Sequence, residues 1–228
     1  MFAGHAAIAL AAKAAAPRVS LGALVAAAYG LDLLWPLFCL AGLESFRIVP
    51  GHTAFTPIAF DYYPLSHSLL MAIVWGLAAG LLTTRLTRSA RAGWVVGALV
   101  VSHWVLDAIA HSRDLPLWPG ESPMVGLGLW YSIPATFVVE GLFFLAGIVI
   151  YRRATRATGR VGAIALWVLL AFLTLIWIAG PFSPPPPSTT AVSVTALALI
   201  LVPLWAAWAD RHHTPALPSA GTDDPSRP

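Results

Sequence analysis

The chain has 228 residues, of which 58% are hydrophobic and only 10% are charged. Soluble domains carry about 25% charged residues, so this composition excludes an ordinary soluble protein and indicates an integral membrane protein. The formal net charge of +3 does not call for a nucleic-acid partner, because the basic residues follow a membrane-topology pattern.

Apolar segments long enough to cross a bilayer recur along the chain. A helix needs about 20 apolar residues to cross the hydrocarbon core. Six such segments are predicted, at residues 20–43, 65–84, 92–112, 130–151, 161–180 and 189–209. With the shorter apolar segment 2–16, they predict an all-α transmembrane bundle of about seven helices over residues 1–209. Residues 210–228, rich in Pro, Ser, Gly and Asp, are predicted to form a disordered cytoplasmic tail.

The first apolar segment has an alternative interpretation as a signal peptide. Signal peptides begin with a basic region and end at small residues. Here no basic region precedes the segment, Lys13 falls near its end, and Pro17 follows the small residues at 14–16. We therefore favour a retained short helix.

The basic residues indicate the orientation of the chain in the membrane. Eleven of the thirteen fall in alternate loops: Lys13, Arg18, Arg85, Arg88, Arg91, Arg152, Arg153, Arg156, Arg160, Arg211 and Arg227. The positive-inside rule then places these loops and the C-terminus in the cytoplasm and the N-terminus outside. Arginine outnumbers lysine twelve to one, which is typical of GC-rich bacteria and predicts the bacterial inner membrane.

Two long outer connections are rich in aromatic residues, proline and glycine, at residues 44–64 and 112–129. Amphipathic aromatic side chains are common at the level of the lipid headgroups. The sequence leaves two interpretations open, an aromatic belt on surface loops or a lid folded over a site at the outer face.

Ionisable residues interrupt four of the predicted helices, all at mid-membrane or nearer the outer face. They are His5, Asp32, His67, His103, Asp107 and His111. An ionised Asp near the bilayer centre costs about 2.5–3.5 kcal/mol and is kept where it has a partner and a role. We therefore predict one inward-facing cluster. The alternatives are unrelated interfacial histidines or a buried His103–Asp107 pair without a metal.

The residue types in this cluster suit a divalent metal. Neutral imidazoles and carboxylates bind zinc, and with more oxygen ligands manganese or iron, whereas the single cysteine excludes a thiolate site. We predict zinc, with manganese or iron as alternatives, in a site that activates water for hydrolysis. Asp107, Glu140 and Arg113 are the candidate catalytic residues. Glu140 or Glu44 is a candidate general base or orienting carboxylate, and Arg113 a stabiliser of negative charge.

Short motifs around these residues resemble one family. They are Gly4-His5, Leu31-Asp32, Ser66-His67-Ser68 and Ser102-His103-x-x-Leu106-Asp107. Over roughly residues 1–150 the chain resembles the YdjM-type inner-membrane proteins, described as LexA-binding, metal-dependent hydrolases. The resemblance implies that His5, Asp32, His67, His103 and Asp107 are metal ligands.

The chain departs from the family pattern at two places. The family's Pro-Asp-x-Asp-His is reduced to Asp32, and its Arg-Gly-x-Thr-His-Ser is Tyr63-Pro-Leu-Ser-His-Ser68 here. The number of metal ions therefore stays open between one and two. The segment from His111 to Asp114 is a compensating feature, and Asp61 and His52 are further candidates from the loop.

These observations predict a membrane-embedded hydrolase whose site opens to the periplasm and accepts a lipid-linked or otherwise amphiphilic phosphoester. The first alternative is a transporter, which would place polar residues on both sides of the membrane midplane. The second is a non-catalytic scaffold that binds a cytoplasmic partner through the arginine-rich loop 152–160. The lipid bilayer is a partner in all three cases.

Overall fold

The computed structural model describes residues 1–216, which form a bundle of helices with three short, two-stranded antiparallel sheets. The helices are α1 (Phe2–Ala15), α2 (Leu21–Ala28), α3 (Gly30–Leu40), α4 (Pro64–His67), α5 (Leu69–Thr87), α6 (Ala90–Ala110), α7 (Ile133–Ala154), α8 (Arg160–Ala179), α9 (Thr189–Leu197) and α10 (Leu201–Asp210). The strands are β1 (Ser45–Ile48), β2 (Ile58–Tyr62), β3 (Leu115–Pro116), β4 (Met124–Val125), β5 (Thr155–Ala157) and β6 (His213–Pro215).

The predicted transmembrane bundle is confirmed. In the described part of the chain, five helical segments are long and apolar enough to cross a membrane: Leu69–Thr87, Ala90–Ala110, Ile133–Ala154, Arg160–Phe182 and Thr189–Asp210. Helices α2 and α3 together make a sixth, broken span. The seventh predicted helix, α1, has only 14 residues and is shorter than a full crossing, so the count of seven is approximate.

Serine caps set the starts of several helices. The hydroxyl oxygens of Ser68, Ser89, Ser132 and Ser188 each accept a hydrogen bond from the backbone N–H three residues later. Serine is a preferred N-cap because it satisfies one of the amides that a helix leaves unpaired at its start. The cap at Ser68 separates α4 from α5, and it fixes His67 directly outside the long helix.

The predicted span 20–43 is a bent pair of helices. Helix α2 ends at Ala28, α3 begins at Gly30, and the two axes differ by 54°. The Tyr29 hydroxyl donates a hydrogen bond to the carbonyl of Phe2, at 2.8 Å, which ties the bend to α1. Sequence hydropathy misses the bend because both halves are apolar enough to belong to one span.

Helix α1 lies inside the bundle against α2, α6 and α7. Most of its residues are buried, and Gly147 of α7 leaves room for the backbone of Ala7. Such close packing of small residues is characteristic of helix pairs in membranes.

Lys13, near the end of α1, is buried in an ion pair with Asp210. Its Nζ donates to Asp210 Oδ2 at 2.6 Å and to the Val19 carbonyl at 2.9 Å. Asp210 Oδ2 also accepts from the Leu21 amide, and Oδ1 from the Tyr151 hydroxyl. The pair therefore joins α1, α2, α7 and α10 at the arginine side, the end of the bundle that carries loops 85–91 and 152–160.

The predicted tail begins with ordered structure. Helix α10 extends to Asp210, and β6 pairs antiparallel with β5, with Arg156 opposite Thr214. Residues 217–228 lie outside the described part of the chain. Residues 213–215 pair with the strand that follows α7, and the disordered tail stays a prediction.

Glycine residues bring α5 and α6 close together. A β-carbon added at Gly97 would lie 2.9 Å from the carbonyl oxygen of Gly76, and one added at Gly80 would lie 2.8 Å from that of Gly93. Both helices carry the Gly-x-x-x-Gly spacing that permits close approach of membrane helices. This contact fixes the start of α5 relative to the end of α6.

We expect Gly97→Ala to destabilise the protein by about 1–3 kcal/mol, because the added methyl group forces two backbones apart. Thermal unfolding of the purified protein in detergent measures the effect. Gly180→Ala is the matched control, since a β-carbon there meets nothing within 4 Å. Equal stability of the two variants would contradict the close-packing argument.

Candidate metal centre

Four segments of the chain bring five of the predicted ligands together. His5 comes from α1, Asp32 from α3, His67 from the end of α4, and His103 and Asp107 from α6. They form two groups that share His103, namely His5 with His103 and Asp107, and Asp32 with His67 and His103. Within each group, one ligand atom per residue lies within 4.8 Å of the others. We call these five residues the His/Asp cluster.

Within the cluster, the Nε2 atoms of the histidines lie close to the carboxylate oxygens of the aspartates. His103 Nε2 lies 3.0 Å from Asp107 Oδ2 and 3.7 Å from Asp32 Oδ1. His67 Nε2 lies 3.5 Å from Asp32 Oδ1, and His5 Nε2 lies 3.1 Å from Asp107 Oδ1. Four of the five side chains are buried, whereas that of Asp32 is 33% exposed. Asp32 is therefore the point of access to the cluster.

The bend between α2 and α3 orients His103. Its Nδ1 lies 2.7 Å from the carbonyl oxygen of Ala28, the last residue of α2, where helical carbonyls lack partners within their own helix. An Nδ1–H that donates to this carbonyl leaves the Nε2 lone pair facing the carboxylates. His103 Nε2 is buried and, although Asp107 Oδ2 lies 3.0 Å away, it makes no hydrogen bond among residues 1–216, as expected of a ligand atom.

A second set of contacts orients His67. The Ser66 hydroxyl donates to Glu44 Oε2 at 2.7 Å, and its oxygen lies 2.7 Å from His67 Nδ1. Glu44 Oε1 also accepts from the Ser66 amide at 2.8 Å. Burial raises the pKa of Glu44, although these hydrogen bonds oppose the rise. Since Ser66 gives its proton to Glu44, it accepts the Nδ1 proton of His67, which leaves Nε2 free toward Asp32.

The α-amino group of Met1 lies beside the cluster. It donates to Asp107 Oδ1 and lies 3.3 Å from His5 Nε2. The donor set of the cluster, together with the buried Nε2 of His103 that has no hydrogen-bond partner among residues 1–216, supports a fit with a divalent cation. Imidazole and carboxylate ligands favour zinc, or manganese and iron with additional oxygen ligands.

His111, the sixth predicted ligand, lies at the edge of the cluster. Its Nε2 is 3.9 Å from Asp107 Oδ2, while its Nδ1 is 3.1 Å from Asp114 Oδ1. Burial opposes ionisation of Asp114, but hydrogen bonds from His111 and Ser112 lower its pKa. His111 is thus held by the segment that follows α6, and its role as a ligand stays a prediction.

The two long connections, residues 44–64 and 112–129, cover this side of the cluster. The first forms the β1–β2 hairpin, and the second contains β3 and β4. Phe60 packs against His111 with ring centroids 4.9 Å apart, and Tyr63 against His67 at 5.3 Å. The Phe55 amide donates to the carbonyl of Trp130. These contacts favour the lid interpretation, and we call this end of the bundle the hairpin side.

The other two candidate catalytic residues, Glu140 and Arg113, do not belong to the His/Asp cluster. Glu140 is buried, and its Oε2 accepts from the amides of Ala3 and Gly4 at 2.7 and 3.4 Å, so it fixes the start of α1 and with it His5. Arg113 is exposed and makes no ion pair with the cluster among the described side chains. The catalytic roles of both residues stay predictions.

The two loop candidates do not join either group of the cluster. Asp61 forms an ion pair with Arg47 on the exposed face of the β1–β2 hairpin, at 2.8 Å. Hydrogen bonds from the Arg47 guanidinium lower the pKa of Asp61. His52 is likewise absent from the two ligand groups found in the described residues.

The fold and the cluster define the class of the protein, an integral membrane helical bundle with a buried His/Asp cluster on one side. The chain belongs to the YdjM inner membrane protein family, whose model matches residues 64–182, more than half of the sequence. The matched region includes His67, His103 and Asp107, whereas His5 and Asp32 precede it. No curated protein and no solved structure matches the chain significantly.

We expect Ser66→Ala to weaken metal binding about 10–100-fold, the range typical of lost partners behind a ligating histidine. Competition with a chromogenic chelator measures the affinity. Ser66→Thr keeps the hydroxyl and should retain wild-type affinity.

Ser102→Ala is the matched control for this prediction, because Ser102 also precedes a cluster histidine but donates only to the Leu99 carbonyl. An unchanged metal affinity in Ser66→Ala would show that the hydrogen bonds linking Glu44, Ser66 and His67 do not position the His67 side chain.

Proposed function

We propose that the protein is a membrane-embedded, metal-dependent hydrolase of a lipid-like phosphoester. The observation that carries the proposal is the convergence of three histidines and two aspartates, with one partly exposed carboxylate as the access point. These residues would hold a divalent ion, which would supply an activated water as the nucleophile for hydrolysis. Zinc is the metal that best suits the residue types.

The residues of the cluster have separate roles in this proposal. Asp107 contacts His5 through Oδ1 and His103 through Oδ2, and the two imidazole rings stack with their centroids 3.7 Å apart. Asp32 faces the access route. Glu140 Oε1, buried and without a hydrogen-bond partner in residues 1–216, is the carboxylate oxygen available to accept a proton. These roles account for hydrolysis without Arg113.

Turnover of a lipid-like substrate tests the proposal. Purified protein in lipid nanodiscs, loaded with zinc or manganese, should release p-nitrophenolate from hexadecyl p-nitrophenyl phosphate. Chelation and Asp107→Asn should each abolish release, whereas Glu121→Gln in the outer connection should not. Absence of turnover with every metal, or turnover unaffected by Asp107→Asn, would reject the hydrolase.

One observation favours the transporter alternative. The buried Lys13–Asp210 pair lies on the arginine side, so buried ionisable groups are present near both ends of the bundle. Transport needs a polar path between the two sides. Between them, α1 presents Ala6, Ala9 and Leu10, all buried, so the path is closed by apolar packing. Metal-ion flux into proteoliposomes should therefore equal that of empty vesicles, and flux above this level would favour the transporter.

The proposed membrane orientation has its own test. We expect a reporter fused after residue 120 to lie in the periplasm and one fused after residue 156 to lie in the cytoplasm, because arginines dominate the second loop. Paired alkaline phosphatase and fluorescent-protein fusions measure the side. The opposite result would move the cluster to the cytoplasmic face.

A further inference from the structure

We propose that a cavity between α3, α8, α9 and α10 binds the alkyl chain of the substrate while its phosphoester head group reaches Asp32. The inference rests on the proposed hydrolase and specifies its substrate class, an anionic phosphoester with at least one long hydrocarbon chain. We call this space the chain cavity.

The size and lining of the chain cavity suit a hydrocarbon. Its volume is about 690 Å³, within the range of typical ligand sites. Apart from Asp32 and Thr195, its lining consists of apolar and proline residues, among them Ala196 and Trp205. Burying methylene groups against such a lining is favourable roughly in proportion to the area removed from water.

The chain cavity leads to the cluster through Asp32. Asp32 is the one cluster residue with an exposed side chain, and it lines this cavity. Trp35, also in the lining, is buried, and its indole N–H has no hydrogen-bond partner within residues 1–216. A divalent ion held by Asp32 and the cluster would bind the anionic head group there, because a carboxylate by itself repels a phosphoester, and the Trp35 indole N–H is a free donor.

The rim of the chain cavity faces the lipid. Phe172 and Leu201 line it and are 40% and 61% exposed, and both belong to membrane-spanning segments. An alkyl chain can therefore enter sideways from the bilayer and need not pass through water. This geometry explains why the cluster lies within the bundle and not on a water-exposed loop.

A second apolar groove serves as an internal comparison. It lies between α5 and α6, has a volume of about 530 Å³ and is lined by residues such as Leu77, Trp94 and Ala98. No residue of the cluster lines it. A chain bound there would have no route to the metal ligands, so selective binding in the chain cavity distinguishes a substrate site from general contact with lipid.

Photolabelling tests the inference independently of turnover. Metal-free protein in nanodiscs is irradiated with hexadecyl phosphate carrying a diazirine in its chain, and the labelled peptides are identified by mass spectrometry. We expect labels in α3, α9 and α10. Ala196→Trp, which fills the cavity, should lower this labelling about tenfold, whereas Ala98→Trp in the other groove should not. Unchanged thermal midpoints show that both variants fold.

The outcomes separate the cavity from the enzyme. Labels confined to the α5–α6 groove, or labelling of α9 and α10 that survives Ala196→Trp, would overturn the chain cavity even if the protein hydrolyses short esters. Selective labelling that Ala196→Trp removes would support the cavity, and it would do so even if wild-type protein showed no turnover, which would reject only the hydrolase.

Discussion

Replacing His103 by Ala is expected to remove most of the metal from the purified protein. His103 belongs to both ligand groups, and its Nδ1 contact with Ala28 prepares Nε2 for binding. The loss should exceed that from replacing His5 or His67, each of which belongs to a single group. Elemental analysis after gel filtration measures the metal content.

Metal binding by the cluster should also stabilise the fold, because the unfolded chain offers no preformed site. At a free metal concentration 100 times the dissociation constant, the gain is about 2.7 kcal/mol. Chelation should therefore lower the thermal midpoint of the wild-type protein and leave that of His103→Ala unchanged. Glu121→Gln is the control for loss of a polar side chain. Full metal content and normal chelator sensitivity in His103→Ala would reject the metal centre.

Replacing Asp210 by Ala is expected to cost about 3–5 kcal/mol of stability, because it leaves the ammonium group of Lys13 buried without its partner. The cost should be large here because Asp210 also accepts from Leu21 and Tyr151, and four helices lose a common contact. Thermal unfolding in detergent, with metal content measured in parallel, detects the effect.

Two comparisons identify the cause of that loss. The double variant Lys13→Met/Asp210→Leu replaces the pair by apolar side chains and should recover most of the stability. Arg47→Ala breaks the exposed ion pair of the β1–β2 hairpin and should leave the midpoint nearly unchanged. If Asp210→Ala were as stable as Arg47→Ala, the buried pair would not hold the helices together.

The helical membrane fold follows from the sequence alone. A bilayer satisfies no backbone hydrogen bonds, so long apolar segments must form helices, and serines such as Ser89 and Ser132 mark where helices begin. The bend at Tyr29 does not follow in this way. It depends on hydrogen bonds to groups from distant parts of the chain, Phe2 and His103, which leave no trace in local hydropathy.

The ligand residues could also be predicted, because an ionisable side chain within an apolar span is costly and therefore conspicuous. The contacts that orient these ligand residues could not be predicted from the sequence. The sequence marks Glu44 as a candidate orienting carboxylate and Ser66 as part of a motif, but only the fold brings Glu44 against the Ser66–His67 pair.

Lys13 and Asp210 show the same limit at the opposite end of the bundle. The sequence presents Lys13 as an interruption of α1 and Asp210 as the start of a tail, but the two residues, 197 positions apart in the chain, form one buried ion pair. The sequence determined which residues are costly to bury, because that cost belongs to the side chain itself. Only the tertiary structure decided which partner offsets it, because partners are set by how the helices pack.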